Sequence, residues 1–161
     1  MTVHRAAVSD KPGRAKLFLD RHRSTQHSLA SANVGKSGPE ENVAVITLDE
    51  LLEQSWRCDL IKIDAQGTEA RILRGGRRLL KKFHPAIVLE LWPRGLDAFG
   101  DRPADLFQSL ESLGYQLARL SAKGSLKSRS AIDEFLHQQG RWRSINVAAI
   151  PRNRPLADRI A

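Results

Sequence analysis

The sequence predicts an α/β domain built on a mainly parallel sheet with helices on both faces. The runs "DLIKIDA" (59–65) and "PAIVLELW" (85–92) are nearly continuous in apolar residues, the pattern of parallel strands buried on both faces. Between them, Ile72, Leu73, Leu79, Leu80 and Phe83 keep a helical spacing and form one stripe. A second helical segment and further strands follow, and the alternation of strand and helix is the signature of this class. A chain of 161 residues with 41% hydrophobic content fits one domain over residues 1–150, followed by a polar tail, 151–161.

Along the chain, residues 2–20 read as a hairpin, "TVHRAAV" and "AKLFLD" joined by a turn containing Pro12 and Gly13. Residues 21–42 are polar and without a period, a long loop of the kind that covers a substrate pocket or stays mobile. "VAVITLDELLEQ" is a strand running into a helix, and Thr47 and Glu50 are spaced as a capping box, giving Thr47, Asp49 and Glu50 a structural task. Gly75 and Gly76 interrupt the helical stripe, which predicts a break or a close backbone approach there. Asp101 and Pro103 start a helix carrying Leu106, Phe107, Leu110 and Leu113 and ending at Gly114. "YQLARL", a helix opened by Ser130, and "SINVAAI" complete the domain.

Composition narrows the function. No apolar stretch approaches the roughly 20 residues of a membrane span, and "MTVHRAAVSD" lacks the apolar core of a secretory signal, so a cytoplasmic protein that does not engage a membrane is expected. Cys58 is the single cysteine, which removes intrachain disulfides and a cysteine-built zinc site. His4, His22, His27, His84 and His137 have no ligand-like spacing, and no metal centre is expected. The net charge of +8 is spread from Arg5 to Arg159, and Trp56, Trp92 and Trp142 are far apart. This is a solvated basic surface rather than the aromatic and basic groove of a nucleic-acid binder.

The chemistry-bearing residues gather at strand ends. Asp64 closes one buried run and Glu90 lies at the end of the other, the edge at which open α/β sheets bind ligands. Gln66 and Gly67 belong to a tight strand-to-helix turn, and Glu69 falls in the first helical turn, where the helix dipole favours a carboxylate. Ser9 and Asp10 follow the first strand, a position that also suits ordinary turn chemistry.

The segments "VAVITLDELL", "DLIKIDAQGTEARILRGG" and "PAIVLEL", in this order and spacing, resemble the FkbM family of S-adenosylmethionine-dependent methyltransferases. "HRAAVSDKPGRAKLF" resembles the segment that precedes them in the family. The resemblance covers residues 2 to about 120 and implies a Rossmann-like class I methyltransferase sheet entered at its third strand, N-terminally truncated. The family's glycine-rich cofactor loop and ribose-binding acid have no counterpart in these residues.

The resemblance implies transfer of a methyl group from S-adenosylmethionine to an oxygen of a small molecule or sugar-containing metabolite. Asp64 and Glu69 are then the catalytic candidates, Gln66 and Glu90 the acceptor-binding ones, and Asp64, Ser9 and Asp10 the cofactor-binding ones. Without the glycine loop and ribose-binding acid, these residues alone are expected to hold the cofactor weakly or not at all. The strand at 60–64 is expected to expose an edge open to another chain. A non-catalytic remnant, or a basic module binding an acidic partner, is the alternative.

Overall fold

The computed structural model describes residues 2–21, 26–35, 37–52 and 57–152. His22, Trp56, Arg154, Arg159 and all but the start of the expected tail lie outside the described residues. The elements are β1 (Ala7–Val8), β2 (Gly13–Asp20), β3 (Ser37–Ile46), α1 (Leu48–Leu52), β4 (Leu60–Ile63), α2 (Glu69–Arg74) and α3 (Arg77–Phe83). After these come β5 (Ala86–Leu91), α4 (Pro93–Asp97), α5 (Pro103–Ser112), β6 (Tyr115–Leu120), β7 (Leu126–Lys127), α6 (Ser130–Gln139) and β8 (Ile145–Pro151). Short 3-10 turns at Ser31–Asn33 and Gly140–Trp142 complete the set.

The strands form two sheets rather than one. In the smaller, β3 lies between β1 and β2, parallel to the first and antiparallel to the second. The hairpin expected over residues 2–20 is therefore corrected: β1 and β2 do not pair with each other but flank β3, with Ala7 opposite Val45 on one side and Gly13 opposite Val45 on the other. The expected loop also ends early, because β3 begins at Ser37. Residues 39–42 of that strand are exposed, and a strand with no buried face carries no apolar alternation to reveal it.

The larger sheet has the order β4-β5-β8-β6-β7. β4 and β5 are parallel and adjacent, with Leu60 opposite Ala86 and Ile63 opposite Leu89, as the paired apolar runs predict. The expectation of a mainly parallel sheet fails beyond that pair. β8, the last of the described strands, inserts between β5 and β6 and runs antiparallel to both, and β7 pairs antiparallel with β6. Strand and helix alternation correctly places β4, β5 and β6 in a common direction, but the inserted strand separates β5 from β6 and makes the sheet mixed.

Ile87, Leu89 and Leu91 of β5, Val147 and Ala149 of β8, Leu110 of α5 and Ile132 of α6 are almost fully buried and form the centre of the core. Burying one such aliphatic side chain contributes about 1.5–3 kcal/mol. β4 is the edge strand: its only described neighbour is β5, and Leu60 is 64% exposed.

The capping box forms as its spacing predicts. The Glu50 amide donates to the Thr47 hydroxyl at 3.2 Å, and the Thr47 amide donates to Glu50 Oε2 at 2.7 Å. Asp49 does more than assist its own helix, since its carboxylate accepts from the Arg78 and Leu79 amides and so caps α3. The glycine pair both breaks the helix into α2 and α3 and permits a close approach. The Asp49 amide donates to the Gly75 carbonyl at 2.9 Å, and a Cβ on Gly75 would overlap the Ser9 carbonyl oxygen.

Gly75→Ala is accordingly expected to destabilise the fold by about 1–3 kcal/mol, because backbone rather than a flexible side-chain tip must move. Gly35→Ala, whose Cβ would meet only Asp20 Oδ2 at 3.5 Å, should stay within about 0.5 kcal/mol of the parent. Denaturant unfolding of the two variants checks the contrast, and equal stability would remove the packing argument.

Candidate functional site

The site is built around the turn from β4 to α2. Its two central residues both have positive φ, Gln66 at 50° and Gly67 at 107°. The second position requires glycine for space as well, since a Cβ there would overlap the Gly95 carbonyl oxygen. The Gln66 carbonyl accepts from Ser28 Oγ at 3.0 Å and from Asn33 Nδ2 at 2.9 Å. Asn33 Nδ2 also donates to the Gly95 carbonyl at 3.0 Å, tying the segment 28–33 and α4 to the turn. Buried backbone carbonyls need partners, and the long polar segment supplies them here.

Glu69 closes the turn from inside. Its residue exposure is 0%, and Oε1 accepts from the Gly67 amide at 3.0 Å and the Ala65 amide at 3.3 Å. Oε2 is buried without a hydrogen-bond partner among the described residues. Burial pushes the Glu69 carboxyl above its ordinary range; hydrogen bonds from backbone amides oppose this, and the negative charge of Asp64 adds slightly to it. The helix-end preference read from sequence is thus outweighed by loss of water.

Beyond the carboxyl ends of β4 and β5 lies a pocket of about 470 Å³ whose lining includes Gln66, Glu69, Glu90, Trp92, Arg94 and Trp142. Asn33 and the neighbouring residues 32–35 also line it, so the long polar segment does border a pocket. Glu90 is half-buried and its carboxylate has no hydrogen bond or ion pair among the described residues. The Arg94 guanidinium lies over the Trp142 ring, 4.2 Å from its centroid.

Of the residues selected from sequence, the structure brings Gln66, Glu69 and Glu90 together in this pocket. Asp64 lies outside the lining, exposed at the end of β4, where it accepts from Lys62 Nζ at 3.2 Å and from Gln66 Nε2 at 3.3 Å. Ser9 and Asp10 sit apart from the pocket, at the junction of α2 and α3. Ser9 donates to Asp10, and Asp10 faces Arg74, which also pairs with Asp101 at 2.6 Å. Sequence reasoning did not select Ser28, Asn33, Trp92, Arg94 or Trp142 as site residues. The only signal for Asn33 was the length of its polar segment, and Arg94 and Trp142 are too far apart in the chain for any motif to join them.

The model of the methyltransferase FkbM domain matches residues 1–117, the region that holds the turn, helices α1 to α5 and the parallel strand pair. The chain belongs to the FkbM methyltransferase family. Searches of curated proteins and of solved structures gave no match. The matched region ends within β6, so Trp142 and the inserted strand β8 lie beyond it. Among the described residues, no helix is long and apolar enough to cross a membrane.

The raised Glu69 carboxyl makes a pH-dependent contribution to stability. The folded chain holds the Glu69 proton more tightly than the unfolded chain. The resulting stabilisation is fully present below the ordinary value of 4.5 and is lost as pH rises through the raised one. Glu69→Gln keeps an acceptor oxygen for the two amides and cannot ionise. Its thermal unfolding midpoint should therefore gain on the parent as pH rises from 4 to 8, and a constant difference across that range would contradict the burial argument.

Proposed function

We infer that this chain transfers a methyl group from S-adenosylmethionine to an oxygen of a small or sugar-containing acceptor bound in the pocket beyond β4 and β5. The observation that carries the reading is Glu90, a half-buried carboxylate facing a pocket with no partner of its own. A hydroxyl acceptor needs an oxygen to orient it and to take its proton, and a carboxylate does both. Family membership supplies the reaction class, and the unpaired carboxylate supplies the acceptor chemistry.

The residues present suit the reacting end of the cofactor. Its sulfonium is a cation, and Asp64, Glu90 and the ring of Trp92 offer negative charge and an aromatic face around the turn. When bound, the cofactor supplies the electrophilic methyl carbon. Gln66 can donate its amide to the acceptor or to Asp64, as it does here. Asp64, already exposed at the strand end, serves to favour the sulfonium by charge. Glu69 holds the turn in shape and excludes water beneath it. Ser9 and Asp10 act by fixing α2 against β1 rather than by touching a ligand.

A second reading, a binding module without turnover, draws on the edge of β4. That strand pairs on one side only among the described strands and exposes Leu60. Such an edge accepts a strand from another chain by backbone hydrogen bonding.

Methyl transfer at saturating, millimolar donor distinguishes the two. Glu90→Gln should lower kcat by about 10² to 10⁴, the usual factor for a general base, with unfolding unchanged. Asp64→Asn should instead raise the half-saturating donor concentration. Undiminished turnover by Glu90→Gln would remove the acceptor assignment, and absence of any transfer by the parent would favour the binding module.

A further inference from the structure

We propose that Arg94, held over Trp142, is an anion subsite of the pocket, and that the acceptor carries an acid group, carboxylate or phosphate, beside the hydroxyl that Glu90 orients. This rests on the reading of the pocket as the acceptor site.

Arg94 is distinguished by its place: Arg119 and Arg143 also form no ion pair among the described residues, but Arg94 is the arginine that lines the pocket. Arg74 pairs with Asp101, Arg102 with Asp105, Arg129 with Glu111 and Asp133, and Arg141 with Asp97. Arg94 has no carboxylate partner among the described residues and lies against the Trp142 ring, 4.2 Å from its centroid. A guanidinium over a ring engages one of its faces, and its five N–H donors lie in the plane, directed away from that contact. The charge is thereby placed without being neutralised.

The platform is held by two elements. Arg94 belongs to α4, whose residue Asp97 pairs with Arg141 at 2.8 Å. Arg141 precedes Trp142 in the 3-10 turn Gly140–Trp142, so this ion pair brings the ring to the arginine. Trp142 is 65% exposed, a large apolar ring kept at the mouth of a pocket rather than in the core.

Glu90 is the second half of the argument. It lines the same pocket as Arg94 and does not form an ion pair with it. One pocket therefore keeps an anion and a cation apart, each without a partner. A ligand complementary to both presents a hydroxyl donor to Glu90 and an acid to Arg94. Sugar acids and sugar phosphates have this arrangement, and a neutral sugar meets only half of it. Guanidinium binds either acid through paired N–H donors. The cofactor's own carboxylate carries the same chemistry, so the experiment must separate the two sources.

The test follows tryptophan emission of the full 161-residue chain, without methyl donor, during titration with glucuronate, glucose 6-phosphate and glucose. At least one acid should half-saturate at a concentration tenfold or more below that of glucose. Arg94→Gln should abolish the preference, Arg94→Lys should retain part of it, and Arg102→Gln, an equal change of charge outside the pocket, should leave it intact. Equal binding of acid and neutral sugar by the parent, or an acid preference that survives Arg94→Gln, would overturn the proposal. S-adenosylhomocysteine forms the other arm. If Arg94→Gln weakens it tenfold and the parent shows no acid preference among the sugars, the subsite belongs to the cofactor and the acceptor assignment is wrong. Because no donor is present, loss of methyl transfer and loss of the acid preference are read independently.

Discussion

The architecture of the site depends on how one backbone carbonyl is held. Gln66 turns the chain out of β4 in a left-handed conformation that a residue with a Cβ adopts at a cost. Its carbonyl would be left without a partner if the polar segment did not reach it. Ser28 and Asn33 both donate to this oxygen, and Asn33 reaches on to Gly95. Three stretches remote in sequence are thus joined through the Asn33 amide, which donates to two carbonyls, and the pocket lies beside them. A buried carbonyl that loses its donors costs roughly 1–3 kcal/mol, which is enough to hold a strained turn in place.

Glu69 shows two effects in competition at the same turn. A carboxylate at a helix start is favoured by about 0.3–1 kcal/mol when exposed, and hydrogen bonds from two amides add to that. Full burial works against the charge and outweighs these effects, so the carboxyl holds its proton more tightly than a free one. A neutral carboxyl can still accept through Oε1, so the turn keeps its bonds in either state. The two acids are consequently in different settings: the sealed one shapes the turn, and the unpaired one of β5 faces the pocket.

The parallel pair, its crossover helices and the capping box were legible because each depends on residues close in sequence. The apolar runs at 60–63 and 86–91 declare buried strands, and Thr47 with Glu50 declares a helix start. The sheet's order was not legible, because nothing in "SINVAAI" states that it inserts between strands about 30 and 60 residues upstream. β3 was hidden for the opposite reason, its polar half having no buried face to impose a period. Strand-end position pointed to Asp64 and Glu90, of which Glu90 lines the pocket, the turn and first helical turn pointed to Gln66 and Glu69, and Arg94 over Trp142 is a tertiary contact with no local trace.

The position of β8 carries a consequence for how the molecule is made. This strand is the last of the described elements, yet it sits between β5 and β6 and contributes almost fully buried residues to the core. While the chain is being synthesised, β5 and β6 can both be present with nothing to join them. A ribosome-bound intermediate ending before residue 145 would therefore hold two half-sheets, each with an apolar edge. Such species are prone to pair with the wrong neighbour. Completion of the sheet is thus coupled to arrival of β8, and β5 and β6 are joined only once that strand is in place.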